Sequence, residues 1–135
     1  MTMNYVRRLV AKYPAIREVW LFGSRANEAA RPDSDWDYLA FADDDTLSDL
    51  SRDTDLDRSD IDLMVVTDGV HFAKPWVDAS GQKTGTLADD ISSGGLAWKL
   101  LSPTTAEYRC LKSDPADMTG FRSVIRTLRG KRVHP

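Results

Sequence analysis

Gly23 and Ser24 follow directly on the apolar run Val19–Phe22, and ten residues separate them from Asp35-Trp36-Asp37. A third candidate acid, Asp62, stands inside the apolar run Ile61–Val66. A glycine at the end of a strand lets a phosphate approach the backbone closely. A serine beside it adds a hydroxyl donor, and the free N–H groups at the start of a following helix favour an anion. Two aspartates at i and i+2 on a strand point to one face, so their carboxylates converge. A charge inside an apolar strand is costly unless it is paired, metal-bound or at the strand's wet end. If the strands carrying Asp37 and Asp62 are neighbours, three carboxylates meet, and they cannot all ionise side by side without a cation. Magnesium suits such a set, because it takes oxygen ligands and is shared between carboxylates and substrate phosphates. Two such ions ~3.5–4 Å apart clamp an in-line displacement at phosphorus. The chemistry open to this set is metal-assisted phosphoryl or nucleotidyl transfer.

The elements that must position these residues can be read from periodicity. Val6, Leu9, Val10 and Tyr13 recur at spacings of three and four, which predicts a helix over 3–13 that Pro14 ends. Residues 17–22 read as a buried strand, and Ser24 as the cap of a brief helix through SRANEAA. In the second strand, 36–42, Trp36, Tyr38 and Ala40 face one way while Asp37, Leu39 and Phe41 face the other. A helical turn is expected around Thr46–Leu50, a third strand at Ile61–Val66 and a fourth near Val70–Trp76. The Gly-, Ser- and Asp-rich stretch from Asp78 to Gly95 reads as a hairpin or a long loop. Leu96–Leu101 is a candidate strand. Two helices follow in this reading, one from Ser102-Pro103 to about Leu111 and one from Asp114-Pro115. Met118, Phe121, Val124, Ile125 and Leu128 form the second helix's apolar stripe. The fold class expected is α+β (α/β): a small mixed sheet packed against helices, in a single domain over 1–135. Residues 96–135 are expected to be mainly helical support or a partner surface.

The ordered set Leu21-Phe22-Gly23-Ser24-Arg25-Ala26 and Pro32-Asp33-Ser34-Asp35-Trp36-Asp37 resembles the signature of the nucleotidyltransferase superfamily with the DNA polymerase β-like fold. The resemblance is nearest to the small, minimal nucleotidyltransferases, and it covers roughly residues 16–66. It implies that Gly23 and Ser24, with Arg25 as a further candidate, hold the phosphates of ATP or another nucleoside triphosphate. It implies that Asp35, Asp37 and Asp62 bind magnesium, two ions in all, and that a nucleoside monophosphate passes to an acceptor with release of pyrophosphate. Asp62 would ligate the ion that activates the acceptor hydroxyl, or take its proton. Small members of this family also act as antitoxins that pair with a small helical toxin, so a protein partner is the alternative expectation. Nothing after Val66 matches a motif that names the acceptor, which could be a small molecule, a protein or an RNA.

Other residues compete for these roles. Asp60 shares a face with Asp62, but Asp62 lies within the apolar run and is preferred. Asp53, Asp55 and Asp57 have the first spacings of a helix–loop–helix calcium site. Arg58 then stands where that site needs glycine, and Met64 where it needs glutamate. The acids from Asp43 to Asp57 are therefore expected in a solvated loop. Lys74, Lys83 and Lys99 are looser candidates for the triphosphate. His71 and His134 lack partners at metal-ligand spacing. Arg122, Arg126 and Arg129 read as a basic stripe on the last helix, solvated or, as a third expectation, in contact with RNA. Neither a Walker-type loop nor a Gly-x-Gly-x-x-Gly motif occurs, which removes support for P-loop and Rossmann readings.

Charge distribution sharpens this picture. The 135 residues carry a net charge of −3, yet residues 33–68 hold thirteen aspartates against Arg52 and Arg58, or −11. The flanking segments are each +4. A block this dense repels itself unless cations or solvent compensate it. With 41% hydrophobic and 29% charged residues the composition is that of a globular protein, not a disordered one. No run approaches the ~20 apolar residues of a membrane span, and no secretory signal is read in the N-terminal stretch. The lone Cys110 excludes an intrachain disulfide and is expected in the core, which with the rest leads to a cytoplasmic expectation.

Overall fold

The computed structural model describes residues 2–76, 84–88, 96–113, 116–119 and 123–134. In chain order they form α1 (Thr2–Lys12), β1 (Glu18–Phe22), β2 (Trp36–Phe41), α2 (Asp44–Ser51), β3 (Ile61–Val66), β4 (His71–Ala73), β5 (Thr84–Thr86), β6 (Lys99–Leu100), β7 (Thr105–Ser113) and β8 (Ser123–His134). The strands make one sheet in the order β5-β4-β3-β2-β1-β8-β7-β6. β2 and β3 are parallel, joined by a crossover that carries α2, and the remaining pairings are antiparallel. The class is α+β, as expected, but strands dominate it.

Period two along β1, β2 and β3 sorts their side chains onto two faces, and each face has its own core. Val19, Leu21, Tyr38, Ala40, Ile61, Leu63 and Val65 lie on one side, covered by Tyr5, Val6 and Leu9 of α1 and by Leu50 and Leu56. Trp20, Phe22, Leu39, Met64 and Val66 lie on the other, against Phe72, Leu87, Ala106, Tyr108 and Cys110. Asp37 and Asp62 belong to this second face by alternation. The sheet curls around the second core until its two ends are bridged. Leu96 N–H donates to Thr86 at 3.0 Å and Trp98 N–H to Leu87 at 2.9 Å, while Arg109 N–H donates to Leu96 at 2.9 Å.

Four expectations need correction. The two C-terminal helices are strands: residues 105–113 and 123–134 pair in continuous antiparallel register from Thr105↔Lys131 to Ser113↔Ser123. Ala106, Tyr108 and Cys110 alternate inward, so the period is two rather than the three to four of a helix. The basic stripe dissolves with the helix, because Arg126 and Arg129 lie on opposite faces of β8. Arg122 and Lys83 lie outside the described residues, as does most of the stretch from Asp78 to Gly95. The helix expected after Ser24 is a single 3₁₀ turn, Ser24–Ala26, with Gly23 at its cap position.

The fourth correction concerns the acidic segment: Asp43, Asp44, Asp45, Asp49, Asp55 and Asp57 are exposed as expected, but the segment is a helix and a turn rather than a loop. Asp43 caps α2 by accepting from Thr46 N–H at 2.8 Å, and Leu50 and Leu56 are buried. Asp53 accepts from the Tyr13 hydroxyl at 2.6 Å, lies 2.6 Å from Lys12 Nζ and also caps the turn Thr54–Leu56. Its carbonyl accepts from Trp76 Nε1 at 3.1 Å. Lys12 first, and then the Tyr13 hydroxyl, hold the Asp53 carboxyl below the usual carboxylate range. A depressed folded-state pKa contributes stability above the unfolded value of ~3.9 that is lost as pH falls through the folded value. We expect Asp53→Asn to be less stable than wild type at pH 6 and to lose less stability between pH 5 and pH 2. Thermal melts across that range check it.

Candidate functional site

β1 delivers Gly23 directly beside Asp37. Phe22, the last residue of β1, pairs with Asp37 of β2, and Gly23 then turns with φ 70° and ψ −160°. That region of backbone space is open essentially to glycine alone. A Cβ at this position would run into the Asp37 carboxylate, whose Cγ would lie only 3.0 Å away. The glycine backbone and the carboxylate are thus in direct contact across the end of β1.

Asp62 is the register partner of Asp37 in the parallel β2·β3 pair. Neighbouring strands run about 4.8 Å apart, so the two carboxylates share one mouth of the curled sheet. Asp60, the rival third acid, is exposed and pairs with Arg58 at 3.2 Å. The Asp62 side chain is 32% exposed, and its Oδ1 lies 2.5 Å from Lys74 Nζ. That oxygen is buried and accepts no aligned hydrogen bond, so the ammonium holds it through charge. Lys74 reaches it from the residue after β4, the antiparallel neighbour of β3. Lys99, by contrast, is exposed on β6.

Asp35 is exposed just ahead of β2, two residues before Asp37. Arg25 fixes this approach. Its guanidinium donates to the carbonyls of Pro32 at 3.3 Å and Ser34 at 3.0 Å, and its Cζ sits 4.4 Å from the Trp36 ring centroid. The structure therefore ties Arg25 to the loop that carries Asp35. The Ser24 hydroxyl does not cap the turn, because Gly23 holds the cap position without a side-chain bond.

Two residues of the site escape the sequence reading. Tyr108 on β7 accepts from Gly23 N–H at 2.8 Å through its hydroxyl. Its ring stacks on Trp98, with centroids 5.7 Å apart, and meets Phe22 edge-on. Burial, above all, pushes the Tyr108 hydroxyl up to about 12, so it stays protonated and can both accept from Gly23 and donate. Asn27 donates to the Gly23 carbonyl at 2.7 Å and to the Arg129 carbonyl at 3.0 Å, and accepts from Arg129 N–H at 2.7 Å. The β7–β8 pair thus holds the Gly23 turn from both sides. Nothing local in the sequence flags Tyr108, which lies 85 positions from its partner. Asn27 has only its nearness to Gly23-Ser24 as a signal.

Among the described residues no group of three His, Cys, Asp or Glu side chains closes into a metal cage. Magnesium does not need one, since it is commonly held by one or two carboxylates together with substrate phosphates. Asp37 and Asp62, with Asp35 at the rim, supply that donor set. The buried Asp62 oxygen already set against a cation fits such a group.

His71 lies outside this constellation. It is exposed and lies, through Nδ1, 2.6 Å from Asp68 Oδ2. Hydrogen bonds from His71 hold the Asp68 carboxyl well below its ordinary range. An open groove of about 510 Å³ beside β4 and β5 is lined by Thr67, His71, Thr84 and Thr86, and includes none of the site's carboxylates.

Residues 4–57 match the family model described as polymerase beta, nucleotidyltransferase. The match spans less than half of the chain and includes Gly23, Ser24, Asp35 and Asp37 but ends before Asp62. A crystal structure from Sulfolobus solfataricus described as a "putative nucleotidyltransferase" aligns with a TM-score of 0.41 and 24% identity. That alignment covers 50% of this chain and 65% of the other, so this chain spans less than two thirds of its neighbour. No match was found among the curated proteins. No helix among the described residues is long and apolar enough to cross a membrane. Residues 4–57, which contain Gly23-Ser24 and Asp35-x-Asp37, are thus similar to the polymerase beta nucleotidyltransferase family.

Proposed function

We propose that the chain is a magnesium-dependent nucleotidyltransferase that moves a nucleoside monophosphate, AMP from ATP in the first instance, to an acceptor hydroxyl. The observation that carries this reading is the direct contact of the Gly23 backbone with the Asp37 carboxylate, with Asp62 in register beside it. The Ser24 hydroxyl, which does not cap the turn, is available as a donor to phosphates beside Gly23. Asp35, Asp37 and Asp62 would hold the metal. When bound, magnesium supplies positive charge at the α-phosphoryl oxygens and at the leaving pyrophosphate. The acceptor oxygen forms a bond to the α-phosphorus as the bond from that phosphorus to the bridging oxygen breaks. Pyrophosphate leaves with the electron pair, and the acceptor's proton passes to water at the mouth. Arg25 acts on this step indirectly, by fixing the loop that presents Asp35.

A second reading, partner binding in the manner of an antitoxin, is favoured by one observation. Leu111 and Ile125 face each other across β7 and β8 and are 45% and 55% exposed. One assay separates the two readings. The protein is incubated with magnesium and each α-labelled nucleoside triphosphate, in host lysate and with small hydroxyl compounds, protein or RNA added singly. Label on an acceptor, with pyrophosphate released and both abolished by EDTA, is the expected result. Absence of label under every condition would overturn the transfer reading and leave partner binding.

A further inference from the structure

We infer that Lys74 is a resident counter-ion of Asp62, which a divalent cation must displace before the site can work. The inference rests on the nucleotidyl-transfer reading and deepens it. The Asp62 carboxylate has one oxygen buried without an aligned hydrogen bond, and a Lys74 ammonium 2.5 Å away compensates it. A buried carboxylate oxygen needs such a partner. An ammonium on a flexible four-carbon stem is also a partner that another cation can replace. Lys74 leaves β4 immediately before the buried Pro75, so its backbone is anchored, and its side chain is 22% exposed.

Two states follow. With no divalent cation present, Asp62 is latched to Lys74. A cation held by the Asp37 and Asp62 carboxylates would take Lys74's place at Asp62, and the ammonium would be released at the same mouth. There the triphosphate's negative charge offers it a new partner. A nucleotide and a metal arriving together supply both replacements at once, so each should strengthen the other's binding by the same factor. Lys74 is in this sense a positioning residue that selects the metal–nucleotide pair over either ligand alone.

The test uses Mn²⁺ as a paramagnetic probe for an oxygen-ligand site. Its affinity is measured by electron paramagnetic resonance without nucleotide, in the full chain. Lys74→Met should bind Mn²⁺ at least about tenfold more tightly than wild type. Lys74→Arg should restore weak binding, and Lys99→Met, an exposed control, should change nothing. In the Asp62→Asn background the Lys74→Met gain should vanish. Melting curves in EDTA and in Mn²⁺ report whether each variant folds, and Lys74→Met should gain more in melting temperature from Mn²⁺ than wild type does. An unchanged or weaker affinity in Lys74→Met overturns the exchange, and so does an equal gain in the Asp62→Asn background. Mn²⁺ binding that is indifferent to Asp37→Asn overturns the underlying reading of the site instead.

Discussion

Asp37→Asn is expected to lower nucleotidyl transfer about 10³-fold or more while leaving the fold intact. The amide matches the carboxylate in shape, so packing against Gly23 survives, and the backbone pairing with Phe22 and Asp62 is untouched. What disappears is the negative charge that would hold the metal. Metal-derived stabilisation of a phosphoryl transition state is worth several kcal/mol, and each ~1.4 kcal/mol is a factor of ten in rate. Removing one of two carboxylates that share a mouth also relieves repulsion. The melting temperature in EDTA should therefore hold or rise slightly. Rates of pyrophosphate release and a melt on the same preparation check both halves. Full activity in this variant would show that the site has been misread.

Gly23→Ala should be nearly as damaging, for a different reason. At φ 70° and ψ −160° a residue with a side chain carries a strain of about 1–3 kcal/mol. The methyl group would also need the space that the Asp37 carboxylate occupies. One of them must move. If the carboxylate moves, the metal ligand is displaced by the order of an ångström, which costs about 10²-fold in rate even when every group is present. If the turn moves, the Tyr108 and Asn27 hydrogen bonds to Gly23 are lost. We expect a melting temperature several degrees lower and a fall in kcat/KM of about 10²-fold or more. The neighbouring substitution Ser24→Gly should leave the melting temperature close to wild type, because the serine hydroxyl does not cap the turn. Calorimetry and steady-state kinetics on the pair separate strain from lost chemistry.

The first half of the molecule is legible in the sequence because its signals are local and periodic. β3 begins and ends where its apolar run does, and the alternation in β2 assigns Tyr38 and Asp37 to opposite faces without any tertiary contact. Asp62 over Asp60 follows from the cost of a lone charge in an apolar strand, and the register Asp37↔Asp62 agrees with it. The second half is misleading because its inward residues are sparse. On β8 only Gly130 is buried outright, and it is small because Trp98 packs where its side chain would be. Val124, Ile125 and Leu128 then fit a helical stripe as well as a strand, and the deciding partner, β7, is brought beside β8 only in the folded sheet. Arg25 illustrates a different limit. It contacts two carbonyls and the Trp36 ring, and no spacing rule reveals those partners. The acidic segment misleads for a similar reason, since Asp43 and Asp53 act as caps only once α2 and the following turn exist.

The clasp of Gly23 by Tyr108 and Asn27–Arg129 has a consequence for how the protein is made. β1 pairs with β2 on one side and with β8 on the other, and its β8 partners lie between residues 131 and 134. On the ribosome, the segment through residue 66 can assemble its three strands and two helices early. The far side of β1 then waits as an open edge, with an unsupported turn at its end, until β8 emerges. Contacts that distant in sequence form slowly, and an uncovered edge strand is a template for pairing with another chain. A nascent chain halted before β8 should therefore be prone to self-association, and the Gly23 turn should gain its clasp only once β8 has paired.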